Sequence, residues 1–521
     1  LRNRLTFADA NGAVTGDRQF PSTAAPFQKF RWIHFPKEPR AGTYTYRVTK
    51  MHMPRDNQLR KGTGHTLDIS LDPVTYDDFL DIGFTRNFAS SQAYAERFRN
   101  RDDILPALAD DGLDFDKAAV GNEVYSWLGF EAHALLFGFL QEAIDNPRIS
   151  LDVLAYDLNE PDIVACLERM GQRLRIVIDN SKSVKNGQTT GHVLPGSAES
   201  QAAKRLRKSA GRNNVTRTCF QNLQHHKVFI AKLDGRPFKV LAGSTNFSFR
   251  GLYIQANNVL LFHDGDVASL YEMMFDLAFH DPENFKKAPL ARKWHLIEKP
   301  GKPIIHVCFS PHTSSDLSLN PVRGAIDQAT SSVFYSIAFL NQIKSGPTKE
   351  ALDRLMTRPL FSYGVVDTAG SLEVRKPDGS IGLVDFAYLS DKAPEPFKSE
   401  WSAGRGINIH HKFVVTDFNL ENAKVFTGSS NLAPASGESK NGGHLVMIED
   451  RKIATSYAIE AIRMFDHLHF RTRMKAAEKK KQGARALHLR KPTAISGQPA
   501  WFEPYYQADS QRERDRLIFS R

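Results

Sequence analysis

The stretch QHHKVFIAKLDG, from Gln224 to Gly235, places two histidines and a lysine at the head of an apolar run. An apolar run of this length that ends in Asp-Gly predicts a buried β-strand. The stretch IHHKFVVTDFN, from Ile409 to Asn419, repeats His-His-Lys at the head of the same kind of strand. Because the same cationic group recurs at the same place in a second strand, it indicates function rather than packing.

A Gly-Ser-x-Asn segment follows each of these strands at the same distance. The segment reads GSTN in the first copy and GSSN in the second. The spacing is 21 residues from His225 to Asn246 and again 21 residues from His410 to Asn431. We interpret each copy as two strands joined by a hairpin, which brings the two segments side by side.

Residues i and i+2 of a strand share a face, so each copy presents an imidazole, an ammonium, a hydroxyl and an amide together. The candidate residues are His225, Lys227, Ser244 and Asn246 in the first copy, and His410, Lys412, Ser429 and Asn431 in the second. Lysine and asparagine donate hydrogen bonds that suit the non-bridging oxygens of a phosphoryl group. We expect the two serine hydroxyls to bind the same substrate.

Two imidazoles suit a displacement at phosphorus. An imidazole with its ordinary pKa of about 6.5 serves as a nucleophile or as a proton donor. One histidine can attack phosphorus, forming a covalent phosphohistidine, while the other protonates the leaving oxygen. We expect no cofactor and no metal, since lysines supply the positive charge and the doublets lack a carboxylate or cysteine at metal-ligand spacing.

The motifs lie in two diverged copies of an α/β unit. The first copy contains RISLDVLAYDLN, EPDIVACLERMG and LRIVIDN, which predict strand, helix and strand. The second copy contains their counterparts SSVFYSIAFLN, KEALDRLMTRP and LFSYGVVDTAG. Continuous apolar strands that alternate with helices predict mixed sheets covered by helices. Upstream, GTYTYRVTKMHM and GHTLDISLDP alternate like two antiparallel strands.

A chain of 521 residues is too long for one ordinary core, and we expect four regions. They are an N-terminal β-rich module with a helical lead-in over 1–146, a first lobe over 147–300, a second lobe over 301–470 and a basic C-terminal extension over 471–521.

The doubled pattern of His-x-Lys and Gly-Ser-x-Asn resembles the phospholipase D superfamily, often called the HKD family, over about residues 147–470. The resemblance implies two pseudo-symmetric α/β/α sandwich lobes with mixed sheets, beside the small N-terminal β-rich module. It also implies a phosphodiester hydrolase with a two-histidine mechanism. Its implied catalytic residues are His225, Lys227, Asn246, His410, Lys412 and Asn431.

The chain departs from the family pattern around these residues. Asp417 occupies the motif Asp position in the second half, whereas Lys232 stands there in the first. The family also has a carboxylate, about a dozen residues after Gly-Ser-x-Asn, that orients a histidine. QANNVLLF offers Asn257 and Asn258 instead, and the second half has no Glu in register. We expect Asp417, Asn258 and Glu438 to support the site.

The same differences suggest a division of labour between the histidines. Fewer acidic groups near His225 favour its neutral form, while Asp417 and Glu438 would favour a protonated His410. We therefore expect His225 to be the nucleophile and His410 the general acid. Asp157, which follows the first strand of the unit, is interpreted as a helix-entry or surface residue.

The charge balance suits an anionic partner. Lysine and arginine number 69 against 58 acidic residues, a formal charge of +11, and Arg471–Lys491 is densely basic. The sequence shows no 18-residue apolar stretch and no apolar N-terminal segment. We expect a cytoplasmic or peripheral membrane protein without a signal peptide.

Three functions stay open at this point. The resemblance favours a phospholipase D-type enzyme that hydrolyses or transfers the phosphodiester of a phospholipid, with peripheral contact to an anionic membrane. The basic excess favours a metal-independent nuclease acting on DNA or RNA. A non-catalytic anion-binding module is the third, although the intact His-x-Lys pairs argue against it. The sequence does not indicate an oligomeric state.

Overall fold

Two large mixed β-sheets, one in each half of the chain, organise the fold. They are seen in a computed structural model that describes residues 1–3, 5–7, 20–34, 40–71, 76–87, 92–99, 101–367, 376–380, 382–385, 408–479, 488–493 and 499–519. The predicted α/β class with two lobes of mixed sheet is confirmed. None of the described helices combines the length and the apolar character needed to cross a membrane.

The N-terminal region contains a long hairpin and several short elements. Its elements are β1 (Arg2–Asn3), β2 (Phe20–Pro21), β3 (Gly42–His52), β4 (Arg60–Leu71), β5 (Leu80–Phe84), α1 (Gln92–Phe98), α2 (Lys117–Val120) and α3 (Asn122–Asp145). The two alternating runs of the sequence form β3 and β4, which pair antiparallel as predicted.

The first lobe contains the predicted strand, helix and strand followed by the first motif. Its elements are β6 (Ile149–Ala155), α4 (Pro161–Met170), β7 (Leu174–Asp179), β8 (Ser183–Lys185), β9 (Gln188–Thr190), α5 (Ala198–Ala210), β10 (Val215–Thr218), β11 (Val228–Leu233), β12 (Arg236–Gly243), β13 (Gln255–Ala256), β14 (Asn258–Phe262) and α6 (Gly265–His280). The sheet order is β10-β7-β6-β11-β12-β14-β5. The first three strands run parallel and the others antiparallel.

The second lobe repeats this arrangement. Its elements, with the C-terminal helix, are β15 (His295–Ile297), β16 (Ile304–Ser310), α7 (Asp316–Gln328), β17 (Ser332–Ile337), α8 (Pro347–Thr357), β18 (Phe361–Val366), β19 (Leu383–Asp385), β20 (Asn408–Ile409), β21 (Lys412–Thr416), β22 (Lys424–Gly428), β23 (Gly443–Glu449), α9 (Arg451–Lys479) and α10 (Gln511–Ile518). The sheet order is β15-β16-β23-β22-β21-β17-β18-β19.

The two sheet orders show where the repeat begins. β5 pairs with β14 in the first lobe, as β16 pairs with β23 in the second. Helix α3 packs into the same hydrophobic core as β6 and β7. We therefore propose that the first lobe starts at β5 rather than at residue 147.

The basic run Arg471–Lys491 lies partly outside the described residues, so its role stays a prediction.

Reciprocal backbone hydrogen bonds join the lobes beside the two motif histidines. The N–H of His225 donates to the carbonyl of Gly442 at 2.8 Å, and the N–H of His410 donates to the carbonyl of Ala256 at 3.2 Å. β13 and β20 pair in parallel across the interface on one side. On the other side, Gln224 forms a parallel bridge with Gly442. Each motif histidine is therefore fixed by backbone of the opposite lobe.

Gly442 leaves no room for a side chain at this interface. A Cβ at this position would overlap the ring of Phe220. We predict that Gly442→Ala lowers the apparent Tm, since overpacking costs about 1–3 kcal/mol. The matched control is Gly138→Ala on α3, where a Cβ would meet nothing within 4 Å.

Gly138→Ala should leave the apparent Tm unchanged or raise it, because alanine favours a helix by about 0.5–1 kcal/mol over glycine. Thermal unfolding followed by calorimetry compares the two variants. Equal Tm values for both would contradict a tightly packed lobe interface at Gly442.

Candidate active site

The two His-x-Lys pairs face each other across the lobe interface. They lie at the entries to β11 and β21, with both histidine side chains 5% exposed and both lysines 1% exposed or less. The charges of Lys412 and His410 act on His225, and the charge of Lys227 acts on His410. The residues that the sequence placed in separate halves therefore form one buried group.

His225 is held in a defined neutral form. Its Nδ1 lies 3.0 Å from the backbone carbonyl of Ser429 in the opposite lobe. A carbonyl only accepts, so this contact places the proton on Nδ1 and leaves the lone pair on Nε2. The ring of Tyr156 packs against His225 with 4.8 Å between the centroids. Nε2 is the atom that a nucleophilic histidine requires.

His410 is held by Asn257, again from the opposite lobe. Its Nδ1 lies 2.9 Å from Asn257 Oδ1. Asn257 donates from Nδ2 to the carbonyl of Gly251 and accepts from Ser244 Oγ, which turns its oxygen toward the imidazole. The ammonium of Lys412 lies 3.1 Å from His410 Nε2 and 3.2 Å from Nδ1. His410 therefore has a cationic donor at its ring.

Asn258, which the sequence favoured as a supporting residue, makes different contacts. Its Nδ2 donates to Tyr457 Oη at 2.8 Å and to Thr427 Oγ1 at 3.2 Å. These bonds also cross the lobe interface, so Asn258 stabilises the assembly of the lobes. The two asparagines are adjacent, and the sequence alone did not tell which of them reaches a histidine.

The hydroxyl groups of Ser244 and Ser429 hold the strand that follows each motif. Ser244 Oγ accepts the N–H of Asn258 at 3.0 Å. Ser429 Oγ accepts the N–H of His444 at 3.0 Å and lies 3.3 Å from its Nδ1. Both hydroxyls are thus engaged within the protein, and we do not assign them to substrate as the sequence suggested.

Asp417 supports the fold at the far end of β21. It accepts hydrogen bonds from three consecutive backbone N–H groups at the start of β17, those of Thr330, Ser331 and Ser332. In the first lobe Lys232 holds the equivalent end of β11 by an ion pair with Asp152 at 2.5 Å. The substitution of Lys for the family Asp therefore changes the partner but keeps the two strands joined.

Glu438 supports the GSSN loop rather than a motif histidine. It accepts from Ser430 Oγ at 2.5 Å and from Ser318 Oγ at 2.7 Å. The charges that act on His410 come from Lys412, Lys227 and His411. The expectation that Asp417 and Glu438 favour a protonated His410 is therefore wrong, because both carboxylates are bound elsewhere.

Positive charge is crowded in this buried site. Burial and the neighbouring lysines lower the pKa of His225 and of His410 well below the usual value. Burial lowers the pKa of Lys227 to about 7. Burial and the charge of Lys227 lower the pKa of Lys412 well below its usual range. A bound anion would stabilise all the protonated forms, so anion binding and proton uptake are coupled here.

Asp157, interpreted from the sequence as a helix-entry or surface residue, contacts one of the motif asparagines. Its Oδ2 accepts a hydrogen bond from Asn246 Nδ2 at 2.6 Å, and its Oδ1 lies 3.3 Å from His192 Nε2. Asn246 Oδ1 and Asn431 Oδ1 are buried and have no partner among the described residues. The available signal was the position of Asp157, directly after the strand that pairs with the motif strand.

Asp157, His192 and Glu199 have ligand atoms within 4.8 Å of one another and are close enough to hold a metal ion. His192 Nδ1 also lies 2.8 Å from Asp179. Although burial opposes it, the hydrogen bonds to Asp157 and Asp179 raise the pKa of His192 to about 10. A proton therefore occupies this imidazole at neutral pH, and a metal ion would have to displace it.

These features define one buried site built from two pseudo-symmetric halves. Residues 140–278 match a family model described as cardiolipin synthase, PLD-like domain. This match lies in the first lobe and gives it the character of a phospholipase D-like domain, and the second lobe carries the second copy of the motif. A comparison with curated protein sequences finds no match.

Solved structures resemble the chain only loosely. A polyphosphate kinase from Porphyromonas gingivalis shares 12% identity over 63% of this chain and 48% of its own, with a TM-score of 0.39. A phosphatidylserine synthase from Haemophilus influenzae Rd KW20 shares 11% over 74% and 90%, with a TM-score of 0.43. The phospholipase D family member Nuc from Salmonella typhimurium shares 23% over 27% and 84%, with a TM-score of 0.20.

We predict that Asn257→Ala lowers kcat on the order of 100-fold, the lower range of general acid–base catalysis, because His410 loses its Nδ1 acceptor. The matched control is Asn258→Ala, which removes contacts to Tyr457 and Thr427 instead. It should lower Tm more than kcat. Steady-state kinetics on a soluble diester and thermal unfolding measure both effects. An equal fall in kcat for both variants would contradict the specific role of Asn257.

Proposed function

We propose that this protein is a phospholipase D-type enzyme that hydrolyses or transfers the phosphodiester of a phospholipid through a covalent phosphohistidine. The observation that carries the proposal is the single buried cationic site in which two motif histidines are each oriented by the opposite lobe. The description of the matching family model, a cardiolipin synthase domain, supports a phospholipid substrate.

In the first step, the Nε2 lone pair of His225 attacks phosphorus. A P–N bond forms while the P–O bond to the leaving group breaks, and the leaving oxygen takes a proton from His410. The ammonium groups of Lys227 and Lys412 neutralise the charge on the non-bridging oxygens, and the side-chain amides of the two motif asparagines donate hydrogen bonds to them. In the second step, His410 accepts a proton from water or an alcohol, which attacks phosphorus and releases His225.

The assignment of roles rests on the lysine contacts. Each lysine donates to the backbone carbonyl of its own motif histidine, Lys227 at 2.5 Å and Lys412 at 2.7 Å, but only the Lys412 ammonium also lies beside the ring nitrogens of its histidine, His410. His410 thus has a proton source at its ring, and the Nε2 lone pair of His225 stays available. The charge of a bound phosphodiester favours protonation of His410 when the acid is needed.

A nuclease is the second candidate, favoured by the formal charge of +11. A polyanion would bind with a strong dependence on salt. One panel of assays separates the two substrates: phospholipid vesicles, single- and double-stranded DNA, and bis(p-nitrophenyl) phosphate, all in EDTA. Cleavage of DNA without cleavage of vesicles would replace the lipid proposal while keeping the chemistry.

We predict that His410→Asn accumulates a phosphoryl adduct on His225 when the substrate has an activated leaving group. Such a group departs without an acid, but breakdown of the adduct lacks its base. His225→Asn should form no adduct. Mass spectrometry of peptides prepared at alkaline pH identifies the modified histidine.

His263→Asn serves as the control, because His263 lies outside the site and pairs with Asp81. It should behave like the wild-type protein. An adduct found on His410 in the wild-type protein would reverse the two roles. The absence of an adduct on either histidine would contradict the covalent mechanism.

A further inference from the structure

The two halves of the site differ most at one pair of equivalent positions. The registers of β6 on β11 and of β17 on β21 make Phe339 the second-half counterpart of Asp157. Phe339 is 39% exposed, and its ring lies 6.0 Å from that of His410. The Asp157 carboxylate is 29% exposed and bonded to Asn246. Only the first half therefore has an acidic group at this position.

Asp157 belongs to a chain of hydrogen bonds that ends at the first motif. Asp157 contacts His192, and His192 contacts Asp179 Oδ2. Asp179 Oδ1 in turn accepts the backbone N–H of Gln224, the residue before His225, at 2.6 Å. Asp179 at the end of β7 and His192 after β9 thereby connect the amide of Asn246 to the backbone beside His225.

The charged groups around the site are arranged with acids on one side and cations on the other. The acidic group consists of Asp157, Asp179 and Glu199 around the protonated His192. The cationic group consists of Lys227 and Lys412 beside the neutral His225 and His410. Asp157 acts on both lysines, and Asp179 acts on Lys227. The lysines are buried, so these charges are weakly screened.

We infer that Asp157 is a positioning residue of the phosphoryl site. Held by His192, which is itself held by Asp179, it orients the amide of Asn246 and serves as the counter-ion of the two lysine ammoniums until an anionic substrate arrives. This inference rests on the proposed function and adds a component that belongs to the first half alone.

The sign of the expected effect follows from the charges. The pKa of Lys227 is about 7 even though Asp157 and Asp179 act to raise it. An ammonium is lost as pH rises through its pKa, so activity should fall at alkaline pH. Asp157→Asn removes a negative charge, and the fall of activity at alkaline pH, the alkaline limb of the pH–activity profile, should therefore move to lower pH. His192→Gln removes the positive charge that screens Asp157 and should move it to higher pH.

The experiment measures kcat/KM for bis(p-nitrophenyl) phosphate against pH in the full-length protein. We expect shifts of opposite sign for Asp157→Asn and His192→Gln. Asp234→Asn, the same charge change at an exposed ion pair with Arg148, should leave the limb in place. Unshifted limbs, or shifts of the same sign in both variants, would overturn the counter-ion role, since a purely structural role changes only the height of the profile.

Calorimetric binding of inorganic sulfate at pH 6 and pH 8 provides a readout that does not need turnover. Asp157→Asn should weaken sulfate binding, and more so at pH 8 than at pH 6. His192→Gln should strengthen sulfate binding, again more at pH 8 than at pH 6. If the wild-type protein cleaves no diester but these shifts appear, the proposed function fails and the role of Asp157 stands. Sulfate binding with the same pH dependence in all variants would reject that role.

Discussion

The backbone hydrogen bond from each motif histidine to the opposite lobe is the constraint on which the site depends. The bonds from His225 to Gly442 and from His410 to Ala256 fix the two chain segments before any side chain is considered. The side chains repeat the pattern, because each imidazole is oriented through Nδ1 by an acceptor of the other lobe. Neither lobe alone holds its histidine in the orientation that the pair requires.

This arrangement has an electrostatic cost that shapes the rest of the site. Two lysines and two histidines are buried together, and burial disfavours every protonated form. The same crowding favours an anion, since a negative group stabilises the protonated forms. Asp157, which is bonded to Asn246 and His192, balances part of this charge.

Much of this fold and site follows from the sequence, because the motif copies keep the same internal spacing. The apolar runs around Val228 and Lys412 predicted the central strands, and the fixed 21-residue spacing predicted which polar groups meet. The upstream strand β5 was not predicted, since it is short and is separated from its sheet by α1, α2 and α3. Nothing in its local pattern indicates the sheet that it joins.

The supporting residues were harder to predict for a different reason. Asn257 and Asn258 are adjacent and identical, and only their tertiary contacts distinguish the one that reaches His410. The hydrogen bonds of the serine hydroxyls were not predicted, because their partners lie on the neighbouring strand. The position of the Asp157 carboxylate depends on its contact with His192. Because His192 belongs to neither motif and is distant in the sequence, this contact was not predicted.

The two half-sites are proposed to form one phosphoryl site. Calorimetric titration with tungstate, a tetrahedral oxyanion, tests this in the wild-type protein, in Lys227→Met and in Lys412→Met. We expect one tungstate per chain in the wild-type protein and loss of that binding in either variant. Two tungstate ions per chain, with each variant losing one of them, would contradict it.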